Sequence, residues 1–244
     1  MKRIFLFSLI VLLAPAGRIS SAGPASSSMS KKSLVESDPF ESISIGVNYE
    51  TSKRGITRDR ATLETKSLSA YIGYDVCKWW TVFTTLGSSQ SRLSEHDKFG
   101  DSNFKWSAGL NASLWQVDVE DPALFNGRIS LKPALEFSQY SSKTGDDNIR
   151  WYDMTGTLLL GYEKLIEDPK YNILQVYSFS MYVGPAFSRI DGSVGEGLNK
   201  NFEGSRNFGV IGGFDVFVTQ DISVGAQIQS FDKQSFSGSL RYHF

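Results

Sequence analysis

The segment FKWSAGLNASL, residues 104–114, alternates apolar and polar side chains along its whole length. Successive side chains of a β-strand point to opposite faces, so this period of two predicts a strand with one apolar and one polar face. Strands of soluble proteins average about 5–6 residues, whereas a tilted strand that crosses a bilayer needs about 9–11. This segment is long enough for the second kind. One face holds Phe104, Trp106, Ala108, Leu110, Ala112 and Leu114, and the other holds Lys105, Ser107, Gly109, Asn111 and Ser113.

The same period recurs from about Ile43 to the C-terminus, in ten segments by our count. Aromatic residues cluster near both ends of the apolar stripes, as expected for two girdles at the bilayer interfaces. An even number of strands can close on itself, which removes the unpaired edges that hydrocarbon does not tolerate. The sequence therefore predicts an all-β fold, a closed antiparallel up-and-down transmembrane β-barrel of about ten strands, with eight as the alternative. A soluble, lipocalin-like periplasmic β-barrel, whose core would be the apolar face, is a further alternative.

The N-terminus predicts export. Lys2 and Arg3 precede the apolar stretch 4–14, which is too short to span a bilayer, and small residues follow. These features are typical of a secretory signal peptide. We expect cleavage after Ala22 or, as the alternative, after Ala16. The predicted organisation is a signal peptide over residues 1–22, a Ser-rich flexible leader over 23–39, and an outer-membrane β-barrel domain over 40–244.

The connections predict an orientation. If the N-terminus is periplasmic, four of the five outer connections are long, at about residues 51–64, 90–103, 141–149 and 189–205. Long outer loops and short periplasmic turns are typical of such barrels. Pro133 and Pro185 fall inside predicted strands, where they cannot donate to the ladder, so we expect bulges or register errors there.

The last strand carries the most specific motif of the chain. Its ending, Phe236-x-Gly238-x-Leu240-x-Tyr242-x-Phe244, resembles the C-terminal strand of Gram-negative outer-membrane β-barrel proteins, and in particular of small OmpA-like or opacity-type barrels. The resemblance implies a cell outer-membrane location and insertion by the barrel-assembly machinery. It also implies that the assembly signal consists of Phe236, Leu240, Tyr242 and Phe244. It implies no particular activity.

Five charged residues share the polar phase of the predicted strands. Barrels of eight to ten strands are nearly filled by their own side chains. We therefore expect these residues to form a salt-bridged plug in the lumen, which excludes a general pore and leaves a narrow channel as an alternative. The predicted lumen cluster comprises Lys132, Glu136, Asp153, Asp215 and Arg241.

Signals for chemistry are few. The chain has one Cys, two His and a formal charge of -1, without a basic run, so a cysteine-based zinc site and nucleic-acid binding are not expected. Ser94-Glu95-His96-Asp97 holds the residue types of a hydrolase triad, but adjacent positions do not point together. We predict no enzyme, cofactor or metal, and a structural or surface-interaction role with outer-membrane lipids and lipopolysaccharide as partners. An outer-membrane enzyme acting on lipid A is the alternative, and the oligomeric state stays open.

Overall fold

The computed structural model describes residues 43–57, 61–77, 79–94, 99–121, 125–144, 147–165, 177–195, 200–219 and 221–244. The predicted signal peptide, the leader and residues 40–42 lie outside this part of the chain. No helix in the described part is long and apolar enough to cross a bilayer. The strands are β1 Ile43–Gly55, β2 Thr62–Cys77, β3 Trp80–Leu93, β4 Asn103–Ala112, β5 Trp115–Asp121, β6 Phe125–Thr144, β7 Asp147–Leu165, β8 Ser178–Val194, β9 Lys200–Glu203, β10 Phe208–Phe217, β11 Ile222–Ser230 and β12 Gln234–His243.

Ten of these strands close an antiparallel barrel, which confirms the predicted fold class. The order is β10-β11-β12-β1-β2-β3-β4-β6-β7-β8, and β8 pairs with β10 to complete the circuit. The two additional strands lie outside this path, with β5 paired to β6 and β9 paired to β8. The first and last strands pair from Ser44 with His243 to Thr51 with Phe236, so the start of β1 and the end of β12 lie at the same rim. We call this the terminal rim and the opposite one the distal rim.

The register fixes the tilt of the strands. Following paired residues once round the barrel from Ser178 returns to Ile190 on the same strand, twelve residues further along. Since strands rise about 3.3 Å per residue and lie about 4.8 Å apart, this offset corresponds to a tilt of about 40° from the barrel axis. The path passes through Phe217, Ser223, Arg241, Gly46, Tyr71, Thr85, Ser107, Ser138 and Asp153.

The extra strand β5 continues β4 across a bulge opposite Pro133. Asn111 pairs with Ala134 before the break and Trp115 with Leu131 after it. The three residues 112–114 therefore lie opposite the two residues 132–133. Pro133 has no N–H to donate, and the extra residue lies where the ladder opens. The bulge expected at Pro133 is therefore present. At Pro185 the expectation of a bulge or register error is wrong, because the β7–β8 ladder is interrupted there but the pairs on both sides keep the same register.

The strands are longer than the sequence suggested. Most residues of the four predicted outer loops belong to strands, since β1 extends to Gly55, β3 to Leu93, β6 to Thr144 and β8 to Val194. These distal extensions carry polar residues on both faces. Beyond a bilayer the outer face meets water, so the apolar contrast that reveals a strand in the sequence is lost there.

The faces of the barrel are inverted relative to a soluble protein. Small polar residues point inward and are buried, among them Ser44, Ser69, Thr85, Ser107 and Ser223. Large apolar residues point outward and are exposed, with aliphatic side chains between two rings of aromatic ones. The distal ring contains Tyr49, Phe104, Phe137, Tyr152, Phe208 and Phe236, and the terminal ring contains Tyr74, Trp79, Trp80, Trp115, Tyr242 and Phe244.

Candidate functional site

The interior of the barrel holds the candidate site, because that is where the charged residues of the strands converge. The part of the interior nearer the distal rim, which we call the upper part, is built around an ion pair. Lys105 Nζ lies 2.7 Å from Glu50 Oε2 and donates to Ser67 Oγ at 3.0 Å. Tyr140 donates its hydroxyl to Glu50 at 3.4 Å, and the Lys105 ammonium lies 4.7 Å from the centre of the Tyr140 ring. We call Glu50, Ser67, Lys105 and Tyr140 the upper cluster.

A second buried network lies next to the upper cluster, towards the distal rim. The Arg54 guanidinium donates to Ser188 Oγ at 2.9 Å, and Ser188 donates to Asp153 Oδ1 at 2.6 Å. Arg54 also stacks on the Phe231 ring at 4.0 Å and lies 3.8 Å from Asp232. This one side chain therefore ties β1 to β8 and to the turn between β11 and β12.

An apolar layer closes the barrel above these charges. Tyr140 and Trp151 stack face to face, with ring centroids 4.7 Å apart and planes 1° from parallel. The surrounding side chains are all buried inside the barrel. This layer lies nearer the distal rim than the distal aromatic ring of the outer face. We call this layer the distal cap, and it consists of Ile56, Ala61, Leu63, Leu93, Tyr140, Ile149, Trp151, Ile190, Val194 and Phe202.

A polar cavity remains beneath the cap, with about 40 Å³ of space for water. A water molecule needs about 10–15 Å³ on this measure, so the cavity has room for a few of them. Asn48 lines the cavity and is 5% exposed, and both atoms of its amide lack a protein partner. Buried amides are almost always hydrogen-bonded, so ordered water is the expected partner.

The structure divides the predicted lumen cluster into two groups. Glu136 and Asp153 line the polar cavity beneath the cap. Asp215 pairs with Ser180 close to the terminal end of β8, and Lys132 lies within electrostatic range of Asp215. Arg241 stacks on the Tyr71 ring at 4.5 Å. All five predicted residues lie on the inward phase, but they do not form a single plug.

An aromatic layer separates the two charged groups. The rings of Tyr71 and Phe83 stack with centroids 5.8 Å apart, and both residues are buried. Leu159, Tyr182 and Ile211 are also buried inside the barrel. The lumen is therefore layered, with charges above and below an apolar middle.

The four predicted assembly residues share the outer face of β12. Phe236, Leu240, Tyr242 and Phe244 are exposed, whereas His243 is buried and shares a hydrogen bond with Ser223 at 2.9 Å. The rings of Tyr242 and Phe244 pack edge to face at 4.8 Å.

The triad-like segment is described only in part. Ser94 follows β3, and residues 95–98, which include His96, lie outside the described part of the chain. Within the described ranges, no group of three His, Cys, Asp or Glu side chains is arranged to hold a metal ion.

Sequence reasoning missed the members of the upper cluster and Arg54. The alternation predicts that Lys105 points inward but predicts no partner for it. Glu50 and Arg54 continue the even-numbered inward phase of β1, beyond the point at which the apolar alternation ends at Tyr49. Extending that phase by three inward positions would have identified both residues.

No protein-family model and no curated protein sequence matches the chain. Among solved structures, it is similar to the transport unit of the autotransporter AIDA-I from Escherichia coli. The two are 13% identical, with 88% of this chain and 95% of that chain covered and a TM-score of 0.45. It is also similar to the translocator domain of the autotransporter NalP from Neisseria meningitidis, with 11% identity, coverage of 88% and 91%, and a TM-score of 0.33. Similarity at this level identifies no family for the chain.

Proposed function

We propose that the chain is an integral outer-membrane β-barrel with a structural or surface-interaction role and no general pore. The observation that supports this most strongly is the continuous outward apolar belt between two aromatic rings. Residues 236–244 span about 20 Å along the barrel axis once the tilt is included. An apolar band about 25 Å tall is typical of outer-membrane barrels.

The same belt argues against the soluble alternative. A lipocalin-like barrel keeps its apolar residues inside and presents polar ones to water. Here Val47, Leu68, Ile72, Leu135 and Val183 point outward and are 48–54% exposed, while many of the inward positions are small polar residues. Large exposed apolar patches are rare on soluble monomers, so a bilayer is the environment that suits this surface.

The closed lumen supports the absence of a general pore. The distal cap fills the barrel above the upper cluster, and a second apolar layer lies below it. Water and ions would have to displace packed rings to pass. A narrow, gated channel is the competing function, and it would need the cap to move.

Orientation and partners form part of the proposal. The terminal rim would face the periplasm, because export and C-terminal recognition would both deliver the chain from that side. The barrel-assembly machinery would insert the chain, with Phe236, Leu240, Tyr242 and Phe244 as its signal. Outer-membrane lipids and lipopolysaccharide would surround the belt, and we assign no catalytic step to the barrel.

Two measurements test the proposal together. The outer-membrane fraction of expressing cells should contain a form whose gel mobility changes on heating, because a folded barrel resists detergent without heat. Recovery as a soluble periplasmic protein would contradict the proposal. Purified protein inserted in planar bilayers should show no steady conductance, and a persistent open state would favour the channel.

A further inference from the structure

A compact charged group lies on the outer face of β1, β2 and β3, at the distal end of the apolar belt. Lys53, Glu64 and Arg92 are paired across the three strands and form one row. Lys66 lies two residues nearer the belt on β2, and Phe99 packs against the group. We call these five residues the rim patch.

One carboxylate organises the cations of the patch. Lys53 Nζ lies 3.0 Å from Glu64 Oε1, and Arg92 donates from Nε and Nη2 to Glu64 Oε2 at 3.0 and 2.8 Å. Partial burial acts to raise the pKa of Glu64, but the hydrogen bonds from Arg92 and Lys53 outweigh it and hold the pKa below its ordinary value. Glu64 therefore stays anionic at neutral pH and keeps both cations in place.

The ring of Phe99 contacts two cations of the patch, Lys66 and Arg92. The Lys66 ammonium lies 4.3 Å from the centre of the Phe99 ring, and the Arg92 guanidinium lies 4.7 Å from it. Such contacts hold cations near a ring while leaving them in contact with solvent. With three cations and one carboxylate, the patch has a formal charge of +2.

The position of the patch decides which anion it would meet. Leu68 is two residues below Lys66 on the same outward face, about 7 Å along the strand, and it pairs with Tyr49 of the distal aromatic ring. Leu68 is 54% exposed and belongs to the apolar belt. In a bilayer, the patch would therefore lie at the headgroup level of the leaflet at the distal rim.

We propose that the rim patch binds the phosphate groups of a phosphorylated glycolipid in the outer leaflet. This inference rests on the proposed outer-membrane location. Lys66 and Lys53 supply ammonium groups for phosphate oxygens, and Arg92 adds positive charge beside them. The lipid chains would lie along Leu68 and its neighbours, so headgroup and chains would be recognised by adjoining surfaces.

The experiment uses the full chain folded in detergent micelles and native mass spectrometry with diphosphoryl lipid A. A doubly substituted variant, Lys53→Gln with Lys66→Gln, removes two cations and leaves strand pairing intact. Arg189→Gln is the matched control, because Arg189 is also exposed on an outward position near the distal rim, but it lies on β8 and Asp191, 3.0 Å away, balances its charge. Folding of every variant is checked first by heat-modifiable mobility.

We expect the double variant to bind diphosphoryl lipid A about tenfold more weakly, since two exposed charge contacts, each worth about threefold in affinity, are lost together. Arg189→Gln should change binding by less than about twofold, as is usual for exposed pairs. Raising the salt concentration should weaken wild-type binding.

Three results would overturn the inference and leave the proposed outer-membrane barrel unaffected. These are equal binding by folded wild type and double variant, equal binding of lipid A whose phosphates have been removed, and binding of inorganic pyrophosphate as tight as that of lipid A. The last result would assign the patch to a free phosphate compound. A wild-type chain that shows no heat-modifiable form would instead overturn the proposed function itself.

Discussion

Replacing Lys105 by Met tests whether the upper cluster holds the barrel together. Lys105 is 5% exposed, and its ammonium contacts Glu50, Ser67 and the face of Tyr140. Met keeps most of the side-chain volume and removes the charge. Glu50 would then lose its cation and keep the hydrogen bonds from the hydroxyls of Ser67 and Tyr140.

The expected cost follows from that unpaired charge. Removing one member of a buried ion pair typically costs about 3–5 kcal/mol. The Glu50 side chain is 25% exposed towards the lumen, so water screens part of the charge, and we expect about 3 kcal/mol. Adding Glu50→Gln should return the free energy of unfolding to within about 1 kcal/mol of wild type. The amide oxygen can still accept the hydrogen bonds from both hydroxyls.

Urea titrations of protein folded in lipid vesicles would measure these free energies. Lys164→Met is the control, since Lys164 is exposed on β7, and it should change stability by less than about 0.5 kcal/mol. The reasoning would be refuted if Lys105→Met cost no more than the control. It would also be refuted if the double variant were less stable than Lys105→Met alone.

Three further perturbations follow from the geometry. Gly184→Ala should destabilise the barrel by about 1–3 kcal/mol, because a Cβ there overlaps the backbone of β7. Gly212→Ala, whose Cβ would lie 3.4 Å from the nearest atom, should cost less in the same urea titration, and the reverse order would contradict the register. Deleting Phe244 removes one backbone hydrogen bond to β1, worth about 1 kcal/mol in vitro. In cells it should sharply reduce the heat-modifiable form, and unchanged levels would exclude the assembly-signal role. The hydrogen bonds from Arg128 hold the pKa of Asp118 below its ordinary value. The stability this pair contributes is complete above about pH 4 and is lost as the pH falls through the lowered pKa. Asp118→Asn should therefore lose less stability than wild type in unfolding titrations from pH 6 to pH 2.

The fold could be predicted from the sequence because a bilayer imposes a simple rule on each strand. Segments such as 104–112 show it directly, since every second residue must be apolar where it meets lipid. The rule stops at the aromatic rings. Strands that continue into water, such as residues 50–55 of β1, carry no apolar contrast and resemble loops in the sequence.

The candidate site was less predictable, because the inward phase of a strand says nothing about its neighbours across the lumen. Lys132 and Asp153 share that phase, yet they lie on opposite sides of the apolar middle layer. Their grouping depends on the offset of the strands round the barrel, which alternation alone does not give. Glu50 meets Lys105 across the lumen because the two residues occur at a similar height on β1 and β4.

The central claim is that the outer face of a closed barrel meets lipid while its inner face meets packed side chains. A spin-label scan of residues 105–111 in vesicles, in a Cys77→Ser background, tests it most directly. We predict that even-numbered positions collide with dissolved oxygen and not with a water-soluble nickel complex, and that odd-numbered positions collide little with either. Access of the nickel complex to the even-numbered positions, or loss of the period of two, would contradict the claim.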